Sequence, residues 1–225
     1  MPDKLLDFVA VDPNGTADTT VIWLHGLGAD GHDFEPIVPQ LHLPADHRIR
    51  FVFPHAPSRS VTINDGYVMP AWFDITSLER LNGVNQDQVE ESTAQVNTLI
   101  EHEIARGASP HRIVIAGFSQ GGVVALYTAV RATQPLAGVI ALSTYLPGFD
   151  TLQNAISGAH KQIPVFMAHG AYDPVVPITL GRMSYDLVKS LFPDSQWHEY
   201  AMEHCVCMEE IQMLSQWLKK VLGIN

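Results

Sequence analysis

The chain reads as an α/β protein: a mostly parallel central sheet flanked by helices on both faces, in a single domain spanning residues 1–225. Three observations predict this. Short apolar runs rich in Val, Ile and Phe recur along the sequence, and segments of helical period separate them. One run, ending at Phe118, leads into a serine held between glycines at the mouth of a helix-forming stretch.

The runs at 20–25, 48–54, 112–118, 138–143 and 163–169 are predicted as central strands, because residues apolar on both sides of the chain fit a sheet covered on both faces. Residues 196–200 are predicted as a late strand and 5–11 as an edge strand. Val89, Thr93, Val96, Ile100 and Ile104 recur every three or four residues, which predicts an amphipathic helix ended by Gly107. Cys207, Ile211, Leu214, Leu218 and Val221 repeat the pattern near the C-terminus, and a third helix is expected over 178–191, stopping before Pro193. The segment 56–85 breaks the alternation. It is long and irregular, with Pro57, Gly66, Pro70, Trp72, Phe73 and Gly83, and loops of that length in a compact domain are usually functional.

Composition narrows the function. Of the 225 residues 46% are hydrophobic, enough for a substantial core. Thirteen Lys and Arg against 24 Asp and Glu give a net charge of −11, which repels nucleic acid and anionic lipid headgroups. From Ile113 to Val130 no residue is charged, but Ser119, Gln120, Gly121 and Gly122 interrupt that run, so a buried strand, a tight turn and a buried helix explain it better than a membrane span. The first twenty residues carry Asp3, Asp7, Asp12 and Asp18 and lack the apolar core of a secretory signal. The two cysteines, Cys205 and Cys207, are too close in sequence to pair readily, so free thiols and a cytosolic location are expected.

Gly117-Phe118-Ser119-Gln120-Gly121 is a G-x-S-x-G segment. About 0.1 such matches are expected by chance in a chain of this length, so its address between strand and helix carries the weight. A serine hydroxyl is a weak nucleophile and needs a histidine base oriented by a carboxylate. In the α/β-hydrolase order, the acid and then the base follow the serine. Of the 11 histidines, only His160, His169, His198 and His204 lie after Ser119. His169 ends a strand and His198 sits within one, both reading as structural, and His160 falls in a polar loop out of order. His204 remains, in the loop before the last helix. Among the acids, Asp150 and Asp194 sit in other loops and Asp186 within a helix, whereas Asp173 lies just past a strand between stiffening prolines. An oxyanion hole requires backbone N–H groups from the residue after the nucleophile, Gln120, and from a loop after an early strand, here His25-Gly26-Leu27-Gly28. That loop lacks the G-x-G-x-x-G spacing of a dinucleotide site, and no His-Glu-x-x-His or Cys-x-x-Cys pattern supports a metal hydrolase.

Together, His25-Gly26-Leu27-Gly28, Pro70-Ala71-Trp72-Phe73-Asp74-Ile75, Gly117 to Gly122, Asp173-Pro174-Val175-Val176-Pro177 and His204 resemble the acyl-protein thioesterase and small carboxylesterase family of the α/β-hydrolase fold, across roughly residues 20–220. The resemblance implies a triad of Ser119, Asp173 and His204, an oxyanion hole at Leu27 and Gln120, and no metal or organic cofactor. It implies hydrolysis of small esters, lysolipids or acylated proteins. Residues 65–81 then correspond to a flap over an acyl groove, with Met69, Trp72, Phe73, Ile75, Leu78, Leu81 and, beside the acid, Val176 as apolar lining. At roughly 0.8 kcal/mol per buried methylene, such a groove favours longer chains until it is full. An apolar flap is also a surface that a second subunit could cover in a homodimer. The competing reading is a catalytically silent module that uses the groove to hold acyl chains or a protein.

Overall fold

The computed structural model describes residues 5–77, 83–132, 134–148 and 162–224. A seven-stranded sheet dominates it, in the order β1 (Phe8–Val11), β3 (Ile49–Pro54), β2 (Thr19–Leu24), β6 (Ile113–Phe118), β7 (Gly138–Leu142), β8 (Val165–Gly170) and β9 (Ser195–Tyr200). Only β1 runs antiparallel, paired with β3; every other pairing is parallel. Each predicted strand is present, the edge strand in shortened form.

Alternation decides which side chains reach which face. On β2, Ile22 and Leu24 join one core with Ile113 and Ile115 of β6, while Val21 and Trp23 join the other with Val114 and Ala116. The first core is closed by α2 (Gln86–Ala105), α3 (Gln120–Arg131) and α4 (Ile178–Leu191), through Val89, Val96, Leu99, Val124, Val188 and Leu191. The second is closed by a short α1 (Ile37–Gln40) and α5 (Met208–Leu222), through Ile37, Ile211, Leu214, Trp217 and Leu218. The Asn85 side chain caps α2 by accepting from the Gln88 N–H, and Gly223, in the left-handed region, ends α5. The uncharged run 113–130 is β6 followed by α3, and among the described residues no helix is long and apolar enough to cross a membrane.

Periodicity missed one feature. Within 56–85 the chain forms a two-stranded antiparallel hairpin, β4 (Ser58–Val61) and β5 (Tyr67–Pro70), outside the main sheet. Its strands are four residues each and its outer residues are exposed, so no run of buried side chains marks them in the sequence.

The sheet order places the site. From β2 the chain steps outward to β3 and returns on the other side of β2 to β6, so strand order reverses between β2 and β6. A crevice opens at the carboxyl ends of parallel strands where the order reverses, and ligands bind there in open α/β sheets.

Candidate active site

Ser119 stands between the end of β6 and the first residue of α3, with φ 53° and ψ −118°. A non-glycine residue in that region is strained by about 1–3 kcal/mol, and the surroundings hold it there. Its N–H donates to the Leu142 carbonyl (2.8 Å), and its carbonyl accepts from the Thr144 hydroxyl (2.7 Å) and the Gly122 N–H (3.0 Å). The turn also demands glycine at 121, where a Cβ would lie 2.4 Å from the Leu24 carbonyl oxygen and 2.7 Å from that of His25. Bare backbone at this position lets α3 start directly against the end of β2.

The loops after β8 and β9 bring the two partners of the serine together. Ala171 N–H donates to the Tyr200 carbonyl (2.8 Å) and Tyr172 N–H to that of Met202 (3.1 Å). A Cβ on Gly170 would meet the Glu203 and Met202 carbonyl oxygens at 2.3 and 2.5 Å, so the close approach depends on its absence. The result is an unbroken chain. His204 Nδ1 is 2.7 Å from Asp173 Oδ2, and His204 Nε2 is 2.9 Å from Ser119 Oγ. A carboxylate only accepts, so the Nδ1–H donates to Asp173 and Nε2 is left to accept the serine proton. This array can strip a proton from Ser119 and return it to a leaving group.

Asp173 is fully buried at its side chain, and burial alone would raise its pKa. Hydrogen bonds from His169 and His204, and from the Val176 N–H, outweigh that and hold the carboxyl well below the ordinary carboxylate range. The Val175 and Val176 N–H groups each donate to Oδ1 at 2.8 Å. His169, read from sequence as structural, lies against this carboxylate. Its Nε2 is 2.8 Å from the Val176 carbonyl and 3.4 Å from Asp173 Oδ2, two acceptors that fix the proton on Nε2. The ring is fully buried, stacked on Trp197 and set over Gly181, where a Cβ would come within 2.5 Å of Nδ1. Gly181, in the first turn of α4, is the trace of this in the sequence.

Gly26 sits beside the serine: a Cβ there would be 3.6 Å from Ser119 Cβ. Buried His25 orders this loop, with Nδ1 2.7 Å from the Gly26 carbonyl and Nε2 accepting from the Ala56 N–H at 3.1 Å; burial pushes its pKa down, which suits a neutral ring. Among the described residues, no protein acceptor takes the backbone N–H of Leu27 or of Gln120. The Gln120 side chain has a job that sequence reasoning missed. It accepts from the Trp72 N–H (2.7 Å) and donates to the Phe73 carbonyl (2.6 Å), fastening the chain beyond the hairpin to the serine turn.

That fastening corrects the expected groove lining. Trp72, Phe73, Ile75 and Val176 are 0–5% exposed, part of the core rather than of an open surface, and the Trp72 indole donates to the His25 carbonyl at 2.9 Å. A ring packed against the sheet with its one polar atom satisfied has no face left for an acyl chain. Met69 keeps partial exposure and lines an open concavity of about 980 Å³ with Ile63, Tyr67 and Val68. Leu78 and Leu81 lie outside the described residues, as do Asp150 and His160. Cys205 and Cys207 are free thiols, and among the described residues no group of three or more His, Cys, Asp or Glu is arranged to hold a metal ion.

The phospholipase/carboxylesterase family profile matches residues 6–222. The chain belongs to that family. It is 37% identical over 236 residues to an acyl-protein thioesterase 1 of Mycosarcoma maydis, covering 97% of this chain and 98% of that one. It is 35% identical over 239 residues to an acyl-protein thioesterase 1 of Cryptococcus neoformans, covering 99% and 100%. Among solved structures, the acyl-protein thioesterase 2 of Zea mays superimposes with a TM-score of 0.83 at 30% identity, over 96% of this chain and 99% of that one. The fold is that of the α/β-hydrolases, and the chain is a hydrolase.

Proposed function

We propose that the protein cleaves carboxylic esters and thioesters through an acyl-enzyme on Ser119. The observation that carries this reading is the continuous Ser119–His204–Asp173 hydrogen-bonded chain, together with the Leu27 and Gln120 N–H groups, which no protein acceptor takes among the described residues. In the first half-reaction His204 Nε2 takes the hydroxyl proton as Oγ attacks the acyl carbon. The oxyanion accepts from the Leu27 and Gln120 N–H groups. Asp173, kept ionised, steadies the imidazolium, which then protonates the departing alcohol or thiol as the bond to it breaks. Water repeats the sequence on the acyl-enzyme and releases the acid.

The thioesterase relatives support an acylated protein as substrate, with small esters and lysolipids as further candidates. Tyr67 and Val68, 70% and 62% exposed at the hairpin tip, support its service as an apolar cover for an acyl chain or as a contact for a second subunit. A cytosolic setting accords with the free thiols. A fluorophosphonate probe should label the folded protein in a Ser119-dependent manner. Ser119→Ala should lower kcat by something approaching 10⁶-fold; a Ser119→Ala protein with substantial activity ends this reading. A folded wild-type protein that refuses the probe favours the silent binding module.

A further inference from the structure

A second concavity, of about 340 Å³, opens beside His204 and shares no lining residue with the concavity at the hairpin. Its floor is Phe34, Ile37 and Ile211, each less than 9% exposed, and its walls include Phe118, Val206 and the His204 imidazole. The walls are continuous with the catalytic array: the Phe118 ring packs on His204 at 4.7 Å between centroids and on Phe34 at 5.5 Å. Asp33, Pro36, Gln40 and Cys205 complete the lining, so among the described residues it carries one carboxyl side chain and no lysine or arginine.

The loop after β2 divides this pocket from the hairpin. On one side of that loop the Gly28 N–H donates to the Pro70 carbonyl at 2.9 Å, and a Cβ on Gly28 would touch the Met69 sulfur at 3.6 Å. A few residues further on, Asp33, Phe34 and Ile37 of the same segment build the pocket. A substrate laid across Ser119 therefore has two arms in different surroundings. Proton transfer assigns them. The atom that receives the proton from His204 Nε2 must lie within hydrogen-bond reach of it, and that atom belongs to the leaving group. Of the two concavities, this is the one with His204 in its lining.

We infer that the concavity between Phe34, Ile37, Phe118, Val206 and His204 is a leaving-group subsite, shaped for an apolar alcohol or thiol half that is uncharged or cationic. The inference rests on the acyl-enzyme reading above and adds to it a rule of selection. Apolar walls reward a ring or short alkyl group at the leaving atom. Asp33 at the rim, on a segment that also carries Asp30 and Glu35, repels an anionic one.

The test uses esters of one acyl group with ethyl, benzyl, 4-carboxybenzyl and 4-(trimethylammonio)benzyl alcohols. The quantity read is kcat/KM, which includes acylation, the step in which the leaving group takes part. In the wild-type protein the benzyl and cationic esters should exceed the carboxybenzyl ester by tenfold or more. Ile37→Trp, which fills the floor, should lower the benzyl-to-ethyl ratio at least fivefold, and Asp33→Lys should raise the carboxybenzyl-to-benzyl ratio by a similar factor. Each ratio comes from one preparation, so loss of folded protein cancels. Ratios that stay within twofold in wild type and both variants overturn the subsite, as does an Ile37→Trp protein in which acyl-length preference moves instead. Should the wild-type protein hydrolyse none of the esters and refuse the fluorophosphonate probe, the acyl-enzyme reading fails first and takes the subsite with it.

Discussion

The serine turn and the hairpin lie on either side of the same loop and are built in opposite ways. Around Ser119 both its N–H and its carbonyl have partners, and a single added carbon at Gly121 would collide with two carbonyl oxygens. The hairpin has two four-residue strands outside the main sheet, and its tip exposes Tyr67 and Val68. Its fastenings are few and mostly from side chains: the Gly28 N–H on the Pro70 carbonyl, Arg59 on Glu91, Thr62 and Ile63 on Asp74 and Ile75, and, just beyond it, the Gln120 amide on Trp72 and Phe73. The difference teaches a division of labour: chemistry is fixed by dense backbone packing at the sheet edge, and selection is left to surfaces whose side chains can change at little cost to the fold.

Substitutions at the two regions should therefore differ steeply. Gly121→Ala is expected to have the largest effect on stability, about 3 kcal/mol or more, because rigid backbone rather than a flexible side chain blocks the new methyl. Urea denaturation checks this, and an unfolding midpoint close to wild type would dissolve the contrast. Next comes Glu210, buried near the start of α5, three residues after the helix N-cap, with neither carboxylate oxygen in a well-formed hydrogen bond among the described residues. Burial pushes its pKa up to about 8, beyond what the Cys207 backbone offsets, beneath a Tyr200 hydroxyl that burial pushes up to about 12. A carboxyl whose pKa is raised by folding holds its proton in the folded state after the unfolded chain has released it. Stability is then lost as pH rises from the ordinary carboxyl range to about 8. Glu210→Gln should remove that loss, so the variant's advantage grows across this window to a few kcal/mol and then levels; parallel stability curves would contradict it.

His169→Asn should act on rate rather than on binding. Losing a buried hydrogen bond to an ionised group costs about 1.5–3 kcal/mol, so kcat should fall roughly 10- to 100-fold while KM for a small ester stays within about twofold. A matching rise in KM would assign His169 to the substrate side instead. The smallest effect is expected at the hairpin tip, where Tyr67→Ser and Val68→Ser should change stability by no more than about 0.5 kcal/mol. Their signature should be a change in acyl-chain preference at constant rate on acetyl esters.

Much of this was legible in the primary structure because it follows local rules. Strands 113–118 and 138–142 are apolar on both faces, so alternation adds nothing and the run itself marks a covered sheet. Ser119, Asp173 and His204 each follow a strand in the order their chemistry requires, and the structure brings their side chains within 2.9 Å of one another in sequence. His169 reads as structural and is buried, but its contact across the Asp173 loop is invisible in the sequence, and Trp72 was misread because an aromatic residue in an irregular segment looks the same whether it lines a groove or plugs a core.

The sequence by itself determined the strand–turn–helix around Ser119, the family, and the chain order that singles out Ser119, Asp173 and His204 as the proposed triad, since each depends on neighbours within a few residues or on chain order. Tertiary structure alone decided that Gln120 ties down the hairpin base, that His169 backs Asp173, and that a second apolar pocket meets His204. The Gln120 contacts join residues 47 and 48 positions apart and the other two depend on loops closing together, and the crossing of the chain between β2 and β6 brings such partners to one edge of the sheet.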